Sequence, residues 1–281
     1  MVSNKQRRQA AQRHLQRQLE RRAEQQRRRR RNVLIGVTVA AVVVVVGAAL
    51  LVTGLGGDDD STAAAGSSTA ATSAAATPTP GPGAERAGQT TTAGSCTYTY
   101  DAQGSSGTFA VDAPPAGNLP TGTAGETIAT SAGDIGVTLD FDGPGVCASA
   151  SFASLASQGF FDNTVCHRLT TSDGLKVLQC GDPSGTGTGG PGYSFPTAVA
   201  GTETYGRGVL AMANSGQGTD GSQFFLVYGD SQLPASYTVF GSIDEAGLGV
   251  LDQVAAAGVA DGSQDGAPAT PVTITAVTPT A

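Results

Sequence analysis

Between Val33 and Thr53 the chain reads VLIGVTVAAVVVVVGAALLVT, 21 residues without a charge. About 20 apolar residues suffice to cross the hydrocarbon core of a bilayer as one helix. The apolar region of a cleaved signal peptide is usually shorter, about 7 to 15 residues, and no convincing small-x-small cleavage site stands before Asp58. The run is therefore read as a retained transmembrane anchor. Arg27 to Arg31 directly precede it and Asp58 to Asp60 follow it. The positive-inside rule then puts the N-terminus in the cytoplasm and everything after Gly54 on the far side. The expected localisation is the cell membrane, single-pass, with the C-terminal part extracytoplasmic.

Charge divides the chain at the same place. Of the 16 Lys and Arg, 12 precede Asn32, where only Glu20 and Glu24 oppose them, so residues 1–32 carry +10. The other 4 basic and 21 acidic residues leave −17, and the formal net charge of −7 averages two segments of opposite sign. A basic segment beside a membrane helix sets topology and attracts anionic headgroups. Phosphate binding to RNA or DNA is the rival use of an Arg cluster, and no specific nucleic acid is expected. Residues 54–94 are mostly Ala, Ser, Thr, Pro and Gly, which bury too little to offset the entropy of ordering, and read as a disordered linker. A folded domain is expected over 95–281, with its core at 125–277, a length ample for one domain.

With 40 Gly, no Trp and 5% aromatic residues, that domain should be rich in turns and short strands. Residues 127–141 read as a hairpin, because Ile135, Val137 and Leu139 alternate and Ser131 to Asp134 supply turn residues. Further strands are expected at 164–169, 177–179, 208–213, 223–227, 237–241 and 272–277. Phe152 and Leu155 share one helical face in 148–158, with Gly159 suited to a left-handed cap. Leu248, Leu251 and Val254 do the same in 245–256, before Gly258. Eight strands and two helices give a mainly β fold: a closed eight-stranded antiparallel barrel capped by two helices. None of the four cysteines forms a C-x-x-C, and His167 is the only histidine near them, so no metal and no cofactor are expected. Gly181 to Gly192 is glycine-rich but lacks the Gly-Lys-Ser/Thr ending of a P-loop, and reads as a flexible loop.

Four stretches, FFDNTVCHRL (160–169), VLQCGDPSGTGTGGPGY (177–193), GVLAMANSGQGTDGSQFFLVY (208–228) and YTVFG (237–241), resemble in order and spacing the signatures of the cyclophilin-type peptidyl-prolyl cis-trans isomerases. The resemblance covers about Gly125 to Val277, and the conjunction is far more specific than any one stretch. It implies catalysed rotation about X-Pro bonds without a covalent nucleophile. Arg168 matches the family's catalytic arginine, a permanently charged fork able to donate to the imide nitrogen or a neighbouring carbonyl. Gln179 matches the active-site glutamine. Phe225 matches the floor of the proline pocket, with Met212 and Leu233 on its wall, although core packing suits Met212 nearly as well. Asn214 and Gln223 match positions that bind peptide backbone, and Ala213 a small residue leaving room for an extended chain.

Three departures from the family's pattern stand out. The link Thr170 to Lys176 is about two residues longer than usual and lacks an aromatic residue, so either Lys176 or Leu175 takes that place on the pocket wall. Tyr237 stands where eukaryotic members commonly carry histidine, and can still hydrogen-bond to substrate or pack on the proline ring. Gln232 falls where a tryptophan helps many members grip cyclosporin, so cyclosporin binding should be weak. An exported domain sits where disulfides persist. On the strands that the resemblance makes neighbours, Cys166 and Cys180 flank Arg168 and Gln179, leaving Cys96 and Cys147 as the other pair; four cysteines allow three connectivities, and four buried thiols remain the alternative. The expected partners are proline-containing polypeptides and, through one helix, the membrane. The expected function is peptidyl-prolyl isomerisation in exported or cell-envelope proteins, the alternative being a non-catalytic proline-peptide-binding or chaperone module of the same fold.

Overall fold

Alternation at Ile135, Val137 and Leu139 commits one strand face to a core, and all three side chains are buried. The structure, a computed structural model, describes residues 80–216 and 218–280. The basic segment 1–32, the apolar run 33–53 and most of the expected linker, 54–79, lie outside the described residues. Among the described residues no helix is long and apolar enough to cross a membrane.

In chain order the strands are β1 (Thr90–Ala93), β2 (Cys96–Tyr100), β3 (Thr123–Thr130), β4 (Gly133–Asp140), β5 (Thr164–Val165), β6 (Arg168–Ser172) and β7 (Leu175–Cys180). They continue with β8 (Tyr193–Pro196), β9 (Val209–Met212), β10 (Thr219–Asp220), β11 (Phe224–Gly229), β12 (Val239–Ile243), β13 (Asp265–Gly266) and β14 (Thr273–Pro279). Helix α1 (Val146–Ser157) follows β4, and α2 (Glu245–Ala257) follows β12. The larger sheet has the order β13-β6-β7-β11-β9-β12-β4-β3-β14-β5 and the smaller β1-β2-β8-β10.

Eight strands of the larger sheet, β6-β7-β11-β9-β12-β4-β3-β14, correspond to the eight expected. Closure is the point of difference. The stretch 164–169, expected as one strand, is two, and β5 and β6 stand near opposite ends of the sheet although only Cys166 and His167 separate them. A two-residue link between distant positions requires the sheet to curl until its ends nearly meet. At that junction the Cys166 N–H donates to the Val272 carbonyl at 2.8 Å and the Cys166 sulfur is bonded to Cys180. The result is a curled half-barrel whose ladder is interrupted there, not a closed one.

Both helices lie close to their expected bounds. The α1 residues Phe152 and Leu155 are buried. Phe152 meets Phe161, Phe224 and Phe240 at centroid distances of 5.0, 5.2 and 5.6 Å, the spacing at which aromatic rings attract beyond their burial. Gly159 adopts φ 68°, the left-handed conformation that ends the helix cheaply only for glycine. At the start of α2 the Asp244 carboxylate accepts the Gly247 N–H at 2.6 Å, an N-cap.

The linker expectation fails at its C-terminal end. Residues 84–86 form a 3-10 turn, and β1 pairs with β2 through Thr90↔Thr99 to Ala93↔Cys96. Three β-branched threonines favour this extended backbone, and burial comes from beyond the segment. Tyr98 is fully buried against Tyr193 and Phe195 and donates to the Cys147 carbonyl at 2.9 Å. A bond between Cys96 and Cys147 fastens β2 to α1. Arg86 lies 4.2 Å from the Tyr100 ring centre and donates to the Val111 carbonyl and to Asp112.

Candidate active site on the outer sheet face

The central strand β11 reads FFLVYG and is buried on both faces. Phe224, Leu226 and Tyr228 join the interior core. Phe225 and Val227 point the other way, into a second apolar cluster with Val177, Tyr205 and Ala211, packed around by Leu175, Ala213, Leu233 and Tyr237 among others. Strand register places the polar candidates beside it. Arg168 is paired with Gln179 across β6 and β7, Gln179 with Phe225 across β7 and β11, and Phe225 with Ala211 across β11 and β9. Cross-strand partners share a face, so cation, amide and aromatic ring stand in one row across the outside of the sheet.

Hydrogen bonds join the row laterally. Arg168 Nη1 donates to Gln179 Oε1 at 3.2 Å, Gln179 Nε2 to Gln223 Oε1 at 2.9 Å, and Gln223 Nε2 to the Gly189 carbonyl at 3.0 Å. On its other side Arg168 is clamped by Asp265, with Nε and Nη2 donating to Oδ1 and Oδ2 at 2.7 and 2.8 Å. This bidentate fork fixes the guanidinium plane. The hydrogen bond to Asp265 raises the Arg168 pKa further, and Arg168 in turn holds Asp265 below the ordinary aspartate value. Burial pushes His167, next in the chain, down from its ordinary value and toward the neutral form.

Tyr237 sits edge-on to Phe225 with centroids 5.4 Å apart. Its backbone is held from below, because the Tyr205 hydroxyl donates to the Tyr237 carbonyl and accepts its N–H, both at 2.9 Å. Leu233 and Ala213 border the same cluster. Asn214 is occupied in its turn: its Nδ2 donates to the Ser236 carbonyl at 3.0 Å and its Oδ1 accepts the Gly216 N–H at 3.0 Å.

Met212 is a correction. It pairs with Phe224, not Phe225, and lies in the interior core; alternation along β9 sends Ala211 outward and Met212 inward. Between Leu175 and Lys176 the outer wall goes to Leu175, which shares the face of Val177 and Gln179, whereas Lys176 faces Gly229. Val177, two positions before Gln179, was recoverable from that same alternation. Tyr205 and Asp265 carried no local signal, since Asp265 meets Arg168 from 97 residues away.

The glycine-rich loop is also tied down, contrary to its reading as flexible. Asp182 is fully buried and accepts the Ser184 and Gly187 N–H groups at 2.7 and 2.5 Å. A Cβ on Gly189 would collide with Asp182 and Ser106, and one on Gly192 with residues 104 and 105, so glycine is required by close approach. Of the three cysteine connectivities, the structure has Cys96–Cys147 and Cys166–Cys180. Among the described residues no group of three or more His, Cys, Asp and Glu is placed to hold a metal ion.

Residues 126–279 match the family described as cyclophilin type peptidyl-prolyl cis-trans isomerase/CLD. This chain belongs to that family. It is 53% identical over 178 residues to the probable peptidyl-prolyl cis-trans isomerase B of Mycobacterium leprae, covering 58% of this chain and 60% of that protein. The corresponding Mycobacterium tuberculosis H37Rv protein is 52% identical over 181 residues, with 59% of this chain and 58% of that one covered. A peptidyl-prolyl cis-trans isomerase of Helicobacter pylori is 42% identical over 136 residues, covering 47% of this chain and 80% of that protein. The match thus spans about three fifths of the mycobacterial relatives. Among solved structures, a Cryptosporidium parvum cyclophilin-type isomerase aligns at 28% identity with a TM-score of 0.48, over 57% of this chain and 99% of that one.

Proposed function

We propose that this cyclophilin is an active peptidyl-prolyl cis-trans isomerase acting on proline-containing segments of exported or cell-envelope proteins. The observation that carries the reading is the single row of Arg168, Gln179 and Phe225 on one sheet face. Rotation about an X-Pro bond breaks amide resonance, with a barrier of about 18–20 kcal/mol. As resonance is lost the imide nitrogen regains a lone pair, and a fixed cationic donor stabilises that state more than the planar one. Arg168 suits the task. Of the five guanidinium N–H donors, two are engaged by Asp265 and one by Gln179, which leaves two for substrate. Phe225, with Leu233, Tyr237, Val177 and Leu175 around it, offers the apolar seat for the proline ring. Gln179 and Gln223 would orient the arginine and bind the neighbouring peptide backbone.

The alternative of a non-catalytic binding module is motivated by the altered pocket wall around Lys176; the apolar Leu175 on the outer face there supports the isomerase reading instead. A protease-coupled proline peptide assay on the full chain tests catalysis. Acceleration over background is expected, and tight peptide binding without acceleration would overturn the proposal. The extracytoplasmic site of action rests on Val33 to Thr53 and the charges flanking it. External protease should therefore remove the cyclophilin domain from intact cells while sparing residues 1–32; a domain cleaved only after lysis would reverse the topology. Weak cyclosporin inhibition follows from Gln232, whose amide offers less apolar surface than an indole. Gln232→Trp should lower the inhibitory concentration, and an unchanged value would sink that assignment.

A further inference from the structure

Upstream of the family match, residues 101–106 run alongside the glycine-rich loop. The Asp101 N–H donates to the Gly192 carbonyl at 2.8 Å, the Ser106 N–H to the Gly190 carbonyl at 3.1 Å, and Gly190 N–H returns a bond to Ser106 Oγ at 2.7 Å. The loop is joined to Gln223, and Gln223 to Gln179 and Arg168. A cavity of about 700 Å³ lies among these parts, lined by Gln179 and Gln223 and also by Asp101, Gln103 and Ser106. Ala213 to Ser215 and Asp220 complete the lining.

The charge of this cavity has one sign. Among the described residues no Lys or Arg lines it, and its two carboxylates are Asp101 and Asp220. Asp220 is committed internally, accepting from Thr197 at 2.8 Å and Thr238 at 2.5 Å and buried almost completely. Asp101 is not: its one side-chain hydrogen bond is a long one from Ser194, 3.4 Å. Burial pushes the Asp101 pKa up, the direction expected of a carboxylate without a counter-charge.

We propose that Asp101, on the segment preceding the cyclophilin domain, is a specificity-determining residue that receives at this cavity a Lys or Arg side chain lying a few residues from the proline. The inference rests on the isomerase reading, since Gln179 and Gln223 line the cavity and also belong to the catalytic row. Its role is selection: proline sites near a basic residue are bound in preference to others, and acidic neighbours are disfavoured by the unneutralised carboxylate.

The test uses the full chain and three sets of otherwise identical proline peptides, carrying Lys, Ala or Glu at each of the three positions on either side of the X-Pro bond. Isomerisation is followed by NMR exchange, which needs no coupling protease. At one of those positions Lys should lower KM relative to Ala by roughly fivefold, with Glu raising it, and the preference should shrink at high salt. Asp101→Asn should collapse the Lys-to-Ala ratio toward one, and Asp101→Lys should invert it. Equal KM for all three at every position, or a lysine preference that persists in Asp101→Asn, overturns the proposal. Failure to isomerise any peptide, the alanine set included, would instead remove the isomerase reading beneath it.

Discussion

Asp265→Ala is the most informative single change, because it removes the clamp on Arg168 while leaving Arg168 and Gln179 in place. Asp265 and Arg168 have side-chain exposures of 54% and 38%. An ion pair this open contributes no more than about 1 kcal/mol to stability, so Tm should fall by no more than about 4 °C. Activity should respond more. An arginine free to reorient carries about 2 kcal/mol of rotamer entropy, and restoring a good part of that cost to the reaction lowers kcat/KM by roughly tenfold, since 1.4 kcal/mol is a factor of ten. Asp265→Asn keeps the shape and one acceptor oxygen and should fall between the two. Exchange NMR with matched thermal denaturation separates the effects. Arg168 depresses the Asp265 pKa below its ordinary 3.8. The clamp is therefore fully present above the unfolded-state pKa and is lost only as pH falls through the lower folded one. Arg168 stays charged and burial keeps His167 toward neutral, so kcat/KM should be nearly flat from about pH 6.5 to 8. An Asp265→Ala enzyme within twofold of wild type, or a loss that simply follows unfolding, would refute the clamp.

The two disulfides should separate stability from activity. On the chain-entropy model, with sequence separations of 51 and 14, losing Cys96–Cys147 costs about 4 kcal/mol and losing Cys166–Cys180 about 3 kcal/mol. Paired Cys→Ala variants under chemical denaturation should show that order, yet the second pair should cost more activity in folded protein, because its cysteines flank Arg168 and Gln179. Tyr205→Phe strips both hydrogen-bond partners from the Tyr237 backbone. A loss of about 2 kcal/mol is expected, with a raised KM from a loosened pocket wall; a variant unchanged in both would show that Tyr237 is held by packing alone.

What was legible from sequence followed local periodicity. The β3–β4 hairpin was marked by alternation at Ile135, Val137 and Leu139, and the two helices by Phe152 and Leu155 and by Leu248, Leu251 and Val254. Arg168, Gln179 and Phe225 came from motif resemblance, and register then put them in one row. Met212 went astray because adjacent residues on a strand doubly buried by two clusters face opposite ways, and hydrophobicity alone does not tell them apart. Residues 80–94 were misread for a different reason. Their order comes from Tyr98, Arg86 and the Cys96–Cys147 bond, which reach partners as far along the chain as Phe195, not from apolar groups of their own. Asp265 and Tyr205 act on the site through contacts at long sequence separation, where a linear pattern has nothing to show.

The central claim is that a positively charged fork on one sheet face stabilises the twisted X-Pro bond. Exchange NMR on a saturating proline peptide measures the interconversion rate within the bound state, apart from affinity. Wild type should interconvert the bound peptide far faster than free solution. Arg168→Ala should bind it within a few-fold of wild type and interconvert it roughly a hundredfold more slowly, with Arg168→Lys recovering only part of the rate because an ammonium lacks the planar fork. Bound-state interconversion in Arg168→Ala as fast as in wild type would contradict the account.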